Sequence, residues 1–330
     1  MPKFLIIRFS SIGDIILTTP VIRSLRKAYP HSEIHYLTKH KYSEVLQHNP
    51  HINKFLYLKK SLYQTISELK SEKYDAIFDL HNNLRTNFIA LTLPLKKWRS
   101  FRKCNWDKFL ITKFKKKNIT IPHVVERYGE TLQIVNTQLD NEGLDFFIPD
   151  TNLQSAKNEI ETFFGIGIKP VAIALGSTKY TKKWLPEYFV DLIKLLNLPT
   201  ILLGGENELS DAHFITQKTT FQLYNVVSTK TLTESAALIK HCRFIISHDS
   251  SLMHIAAALK INVLTIWGNT IPEFGMYPYK SMFLTAQVEN LNCRPCSRLG
   301  YDACPKGHFR CIRELYPKNV IELLKKSGWI

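Results

Sequence analysis

The chain contains no apolar run approaching the ~18 residues that a membrane-crossing helix requires. Its start, MPKFLIIRFSS, lacks a basic segment followed by a small-residue cleavage site, so no secretory leader is expected and the expected location is cytoplasmic. Neither GxGxxG nor a P-loop pattern occurs, which removes support for a nicotinamide dehydrogenase or a P-loop kinase. Zinc-finger, RRM and helix-turn-helix signatures are missing too, and nucleic acid is not an expected partner. Six cysteines in 330 residues fit a reducing compartment better than a disulfide framework. Acid is scarce beside base, 28 Asp and Glu against 44 Lys and Arg, for a formal charge of +16.

With 45% hydrophobic and 22% charged residues, the chain can bury two cores of ordinary size. Much of the excess charge lies in one segment, Lys96 to Lys117. It holds ten Lys or Arg against the single acid Asp107, interleaved with Trp98, Phe101, Trp106, Phe109 and Phe114. A basic aromatic surface suits an anionic lipid headgroup or a phosphorylated glycan, and equally a plain solvated loop.

Alternating apolar strands and amphipathic helices run through the whole sequence, which predicts parallel sheets covered on both faces. Strands are expected at Lys3 to Ile7, Glu33 to Thr38, Ile52 to Leu58 and Tyr74 to Leu80 in the first half. In the second half they are expected at Val171 to Leu175, Thr200 to Leu203, Tyr224 to Val227, Phe244 to Ile246 and Asn262 to Trp267. The pattern breaks around Phe147 to Asn152, which places a domain boundary there: 1–150 as the first domain, 151–316 as the second, and a last helix in 317–330. The expected architecture is α/β, two Rossmann-like domains facing each other across a cleft.

Polar residues collect where strands end, and such loops carry ligands in open parallel sheets. After the first strand come Ser10, Ser11, Gly13 and Asp14, with Gly13 suited to a tight turn and Asp14 near a helix start. A carboxylate kept ionised there can accept a proton from a sugar hydroxyl, or simply cap the helix. His81 and Arg85 belong to the corresponding loop after Asp79-Leu80 and are expected to face the same cleft as Asp14. In the second half Ser177, Thr178 and Lys182 suit a diphosphate, and Glu206 after Gly204-Gly205 suits ribose hydroxyls. The stretch from Arg243 to Gly268 reads as strand, polar turn, helix, strand, with Asp249, Ser250 and Ser251 at the helix start and His254 one turn in.

RFSSIGDIILTTP, the Gly176 to Trp184 segment, DSSLMHIAAA and the Cys293 to Cys311 segment, in this order and spacing, resemble glycosyltransferase family 9, the heptosyltransferase-like enzymes. The resemblance implies the GT-B fold, inversion at the anomeric centre and no catalytic metal. It implies an ADP-heptose-type donor and an anionic acceptor in the lipopolysaccharide core, met peripherally at the inner membrane. It makes Asp14 the base and assigns Ser177, Thr178, Lys182, Asp249, Ser250, Ser251 and His254 to the donor. It further implies that the last helix returns to the first domain. Ser251 departs from the family pattern, which has glycine there, and this puts the local backbone angle in question. Two other readings stay open: another nucleotide sugar on the same fold, and a non-catalytic binder of anionic glycans or membranes. Cys293, Cys296, Cys304 and Cys311 offer four thiolates suited to a structural zinc, or to packing of a compact loop.

Overall fold

A computed structural model describes residues 1–330 except 94–96, 117 and 220–221. Lys96 and Lys117, the ends of the basic segment, therefore lie outside the described residues. The chain divides into two compact units, one of residues 1–104 and 122–147 and the other of 105–121 and 148–330.

In chain order the first part carries β1 (Lys3–Ile7), α1 (Ile12–Ile16), α2 (Thr19–Ala28), β2 (Glu33–Thr38), β3 (Lys54–Tyr57), α3 (Leu62–Glu72), β4 (Ala76–Asp79), α4 (Leu84–Thr92), β5 (Trp98–Ser100), α5 (Asn105–Phe114) and α6 (Val124–Gly129). Its five strands form one parallel sheet in the order β3-β2-β1-β4-β5. Leu5, Ile7, Leu37, Leu56 and Ile77 come off these strands into a core closed by Ile66 and Leu69 of α3 and Ile89 of α4. Each is an apolar residue of a strand buried on both faces or of a helix stripe, so burial rather than propensity sets this layer. Arg23 of α2 donates to both carboxylate oxygens of Asp140 at 2.6 and 2.8 Å, tying the end of this unit onto α2.

The second unit continues with α7 (Asp150–Phe164), β6 (Val171–Ala174), α8 (Pro186–Leu196), β7 (Thr200–Leu203), α9 (Leu209–Lys218), β8 (Leu223–Asn225), α10 (Leu232–Lys240), β9 (Ile245–His248), α11 (Ser251–Ala258), β10 (Val263–Trp267), β11 (Phe283–Gln287), α12 (Arg310–Arg313) and α13 (Pro317–Lys326). Its sheet is parallel throughout, in the order β11-β10-β9-β6-β7-β8. In both sheets the first strand lies between strands reached by connections of opposite direction. That arrangement opens a crevice at the carboxyl ends of β1 and β4 in one unit, and of β6 and β9 in the other.

Within the second unit Val320 and Leu324 of α13, with Trp329 beyond it, are buried in the core with Leu192 and Ile193 of α8. Their apolar stripe finds its partner on the neighbouring helix, and Trp329 lies against Phe244 with ring centroids 5.6 Å apart. Residues 105–121, placed by sequence in the first domain, cluster with the second. They are held there by Lys115, whose Nζ donates to the carbonyls of Cys293, at 3.1 Å, and Pro295.

Candidate active site

In the first unit the chain leaves β1 through Arg8, whose guanidinium is almost fully buried. A buried cation needs acceptors on every side, and it finds them: Leu80 O at 2.6 Å, Ser10 O at 2.7 Å and Asp14 Oδ1 at 2.8 Å. The rings of Phe101 and Tyr128 stand 6.0 and 5.8 Å from its centre. Asp14 in turn accepts at Oδ2 from the Ser11 hydroxyl, 2.7 Å away, and from the Ser11 amide, at 3.2 Å. Burial works to raise the Asp14 pKa, but the Arg8 charge and the Ser11 hydrogen bonds outweigh it and hold the carboxyl below its ordinary range. Its side chain keeps 24% exposure, so the charge remains reachable.

Sequence reasoning passed over Arg8. The signal for it is an arginine that directly follows a wholly apolar strand. Gly13 does not make the tight turn expected of it, because α1 begins at Ile12 and Gly13 is a helical residue within it. The second loop is braced by Asp79, which accepts from the amides of His81 and Asn82 and from the Ser100 hydroxyl. Burial, with the charge of Arg8 nearby, lowers the His81 pKa to about 4, so the ring is neutral at physiological pH. Its Nδ1 is buried without a hydrogen-bond partner among the described residues. Arg85 sits exposed on the first turn of α4.

In the second unit Lys182 and Asp249 come from the loops after β6 and β9, the two strands that flank the crevice. Their charged atoms are 2.5 Å apart, and the Thr270 hydroxyl also reaches Asp249, at 3.4 Å. Gly268 permits this assembly, since a Cβ there would fall 2.4 Å from the Thr181 carbonyl oxygen. The Ser177 hydroxyl is buried with no hydrogen-bond partner among the described residues, and Thr178 beside it is exposed. Ser250 is the N-cap of α11 in extended conformation, φ −147°, with its hydroxyl 3.0 Å from that of Ser247. Ser251 is the first helical residue, outside the left-handed region, so its departure from glycine carries no backbone strain. The unpaired N–H groups of this first turn stand beside the lysine–aspartate pair in sequence and strand order, a setting that favours an anion. His254 is buried on the inner face of α11.

The carboxylate that organises the Gly204-Gly205 loop is Glu208 rather than Glu206. Glu208 is buried, accepts from the Gly205 amide at 3.1 Å and pairs with Lys183 at 2.7 Å, while Glu206 is exposed. The signal was the glycine-to-glutamate spacing of a capping box.

Behind the loop His248 is fully buried and its Nε2 accepts from the Trp184 amide at 2.8 Å. Burial pushes its pKa from 6.5 down to about 4. As pH falls the unfolded chain takes up that proton first, so stability is intact above about 6.5 and declines until about 4. The loss from this group is roughly 3 kcal/mol. Denaturant melts at pH 7.5 and 4.5 are expected to show a smaller pH difference in His248→Gln than in the wild type; equal differences would place the acid sensitivity elsewhere.

The four cysteines Cys293, Cys296, Cys304 and Cys311 are all free thiols. Burial first, and the other thiols of the group next, push Cys296 up to about 11 and Cys311 up to about 12. Four zinc ligands would lie under 4 Å apart given Zn–S bonds of about 2.3 Å. Among the described residues no three of these sulfurs fall within 4.8 Å of one another, so they do not form a ready tetrahedral set. Glu33, His35 and Glu72 do approach that closely, but Lys3 and Lys54 already neutralise Glu72, at 2.9 and 2.6 Å.

The sequence pattern of glycosyltransferase family 9 (heptosyltransferase) matches residues 62–302. The chain belongs to this family. The lipopolysaccharide core heptosyltransferase OpsX of Haemophilus influenzae is 23% identical, the match covering 99% of this chain and 97% of that protein. A solved family 9 glycosyltransferase from Veillonella parvula superposes with a TM-score of 0.80 at 21% identity, over 98% of this chain and 96% of that one. The Escherichia coli heptosyltransferase WaaC with ADP gives a TM-score of 0.71 at 17% identity, over 98% and 99%. These likenesses establish the GT-B fold, and with it a family 9 glycosyltransferase built from the two α/β units described above.

Proposed function

We propose that this family 9 enzyme transfers heptose from an ADP-heptose-type donor to the inner core of lipopolysaccharide, with inversion and without a catalytic metal. The observation that carries the reading is Asp14, a reachable carboxylate kept ionised by Arg8 and Ser11 at the carboxyl edge of a Rossmann-like sheet. The names of its relatives supply the sugar and the acceptor: a lipopolysaccharide core heptosyltransferase in Haemophilus influenzae and a heptosyltransferase with ADP in Escherichia coli.

In this reading the acceptor hydroxyl attacks the anomeric carbon as the bond from that carbon to the diphosphate oxygen breaks. The hydroxyl proton passes to Asp14, and the electron pair leaves with ADP. A carboxylate of lowered pKa is a weak base for a resting alcohol. It suffices here because the hydroxyl becomes strongly acidic as the new C–O bond forms, so the proton moves late. Lys182 and the first-turn amides of α11 neutralise the departing diphosphate, with Ser177 and Thr178 supplying hydroxyls and Asp249 fixing the ammonium. Ser250 and Ser251 present the α11 amides, and buried His254 supports that turn from beneath. Glu206 is assigned to the ribose, and Ser10, Ser11, Gly13, His81 and Arg85 to the acceptor. The acceptor is an anionic glycolipid, met at the inner face of the cytoplasmic membrane by a chain whose described helices include none long and apolar enough to cross it.

Calorimetric titration with ADP, UDP, GDP and CDP tests the donor. Selective binding of ADP is expected; preference for UDP or GDP would discard the heptose, and no binding of any would discard the transferase.

A further inference from the structure

The basic aromatic segment contains a helix with an outward face. On α5 Trp106 is 69% exposed, Phe109 43% and Phe114 61%. Trp106 and Phe109 stack with centroids 5.5 Å apart, and Phe114 meets the edge of Phe109 at 5.9 Å. Lys113 and Lys116 are exposed beside them, and Asp107 is the one acid of the helix. Rings left in water this way forgo the free energy that burying them would release.

The opposite side of α5 is fastened down, so the exposure is not that of a loose strand of chain. Ile111 is buried, Arg298 donates to Asn105 Oδ1 at 3.0 Å, and Lys115 is held by the carbonyls of Cys293 and Pro295. The helix is thus a fixed platform offering aromatic rings with ammonium groups around them. That combination matches the interface of an anionic bilayer, where rings settle at headgroup depth and lysines meet phosphates.

We propose that α5 is the surface by which the protein docks on anionic phospholipid membranes, through Trp106, Phe109 and Phe114 with Lys113 and Lys116. This deepens the assignment of the protein to the membrane face and rests on it, but does not depend on which sugar is transferred. The aromatic face, rather than charge alone, is what holds the protein there.

The test is flotation of the full chain with vesicles of phosphatidylcholine alone or with phosphatidylglycerol, free of lipopolysaccharide. Binding to the anionic vesicles is expected, with about a tenfold or greater loss in a variant carrying Trp106→Ser, Phe109→Ser and Phe114→Ser. Trp106 fluorescence should shift to the blue on binding, and Trp106→Phe should lose that shift while still floating, because Trp184, Trp267 and Trp329 are buried and half-buried Trp98 is fixed in β5 with its indole N–H on the Ser100 hydroxyl. Lys113→Gln with Lys116→Gln should weaken binding and reduce its salt dependence. Equal flotation of the triple variant, equal binding to neutral vesicles, or no binding to either kind would each overturn the proposal. Transfer to a water-soluble acceptor, measured on the same variants, is expected to be unchanged, so failure to dock is distinguishable from failure of the catalytic reading.

Discussion

Asp14→Asn is expected to lower kcat by roughly two to four orders of magnitude, the range in which removal of a general base falls. The substitution keeps the shape of the side chain and its ability to accept from Ser11, but deletes the charge paired with Arg8 at 2.8 Å. Arg8 retains carbonyl acceptors in Leu80 and Ser10, so the fold should survive with a modest loss of stability. ADP affinity is expected to stay near that of the wild type, because the residues assigned to the donor lie in the other unit. Loss of ADP binding together with turnover would make the effect one of structure. Turnover within a few fold of wild type would remove Asp14 from the chemistry. Since Asp14 is held below the ordinary carboxylate range, the acid limb of kcat/KM should also lie below that range, in a pH interval where the loss of His248 stability must be measured separately.

Lys182→Ala is expected to weaken ADP binding and to lower kcat, both by about tenfold or more, because a cation aimed at a departing diphosphate attracts the bound nucleotide and attracts it more strongly still as negative charge develops on the leaving oxygen in the transition state. The variant also strands Asp249, whose 2.5 Å partner is gone, beside a site meant for an anion. Much of the loss should therefore be repulsion. The double variant with Asp249→Asn should recover part of the affinity that Lys182→Ala loses; a double variant no better than the single one would mean that Asp249 merely positions the lysine. Isothermal titration of ADP and steady-state rates on the same four proteins separate the two contributions.

Most of the fold was legible because a parallel sheet covered on both faces needs continuous apolar strands, and these stand out as Phe4 to Ile7, Ala76 to Phe78 and Ile201 to Leu203. What stayed hidden was the marginal or the non-local. Strand β5 has three residues, one of them apolar, and β11 reads FLTAQ; each is an edge strand with one neighbour, short and only partly buried. Residues His40–Leu46 form a 3-10 segment rather than a full helix, with only Val45 and Leu46 of it buried. The placement of residues 105–121 with the second unit turns on Lys115 reaching carbonyls far along the chain, which no local pattern can encode.

The site divides in the same way. Asp14, Lys182 and Asp249 were legible because polar residues at strand ends are conspicuous after apolar runs, and the structure brings the last two into contact. Arg8 and Glu208 were missed because each acts from beneath, as a buried charge holding a loop, and burial is not written in the identity of a charged residue. The possible zinc at the four cysteines was a reading of spacing, whereas ligation requires the sulfurs to converge more closely than they do.

The most direct test is a transfer assay with purified protein, ADP-heptose and lipopolysaccharide truncated before the inner-core heptoses, run in EDTA and followed by mass spectrometry and by NMR of the product anomer. The account predicts addition of a single heptosyl residue, with the anomeric configuration opposite to that of the donor and turnover undiminished by the chelator. No transfer, transfer with retention, or turnover abolished by EDTA and restored by metal would contradict it.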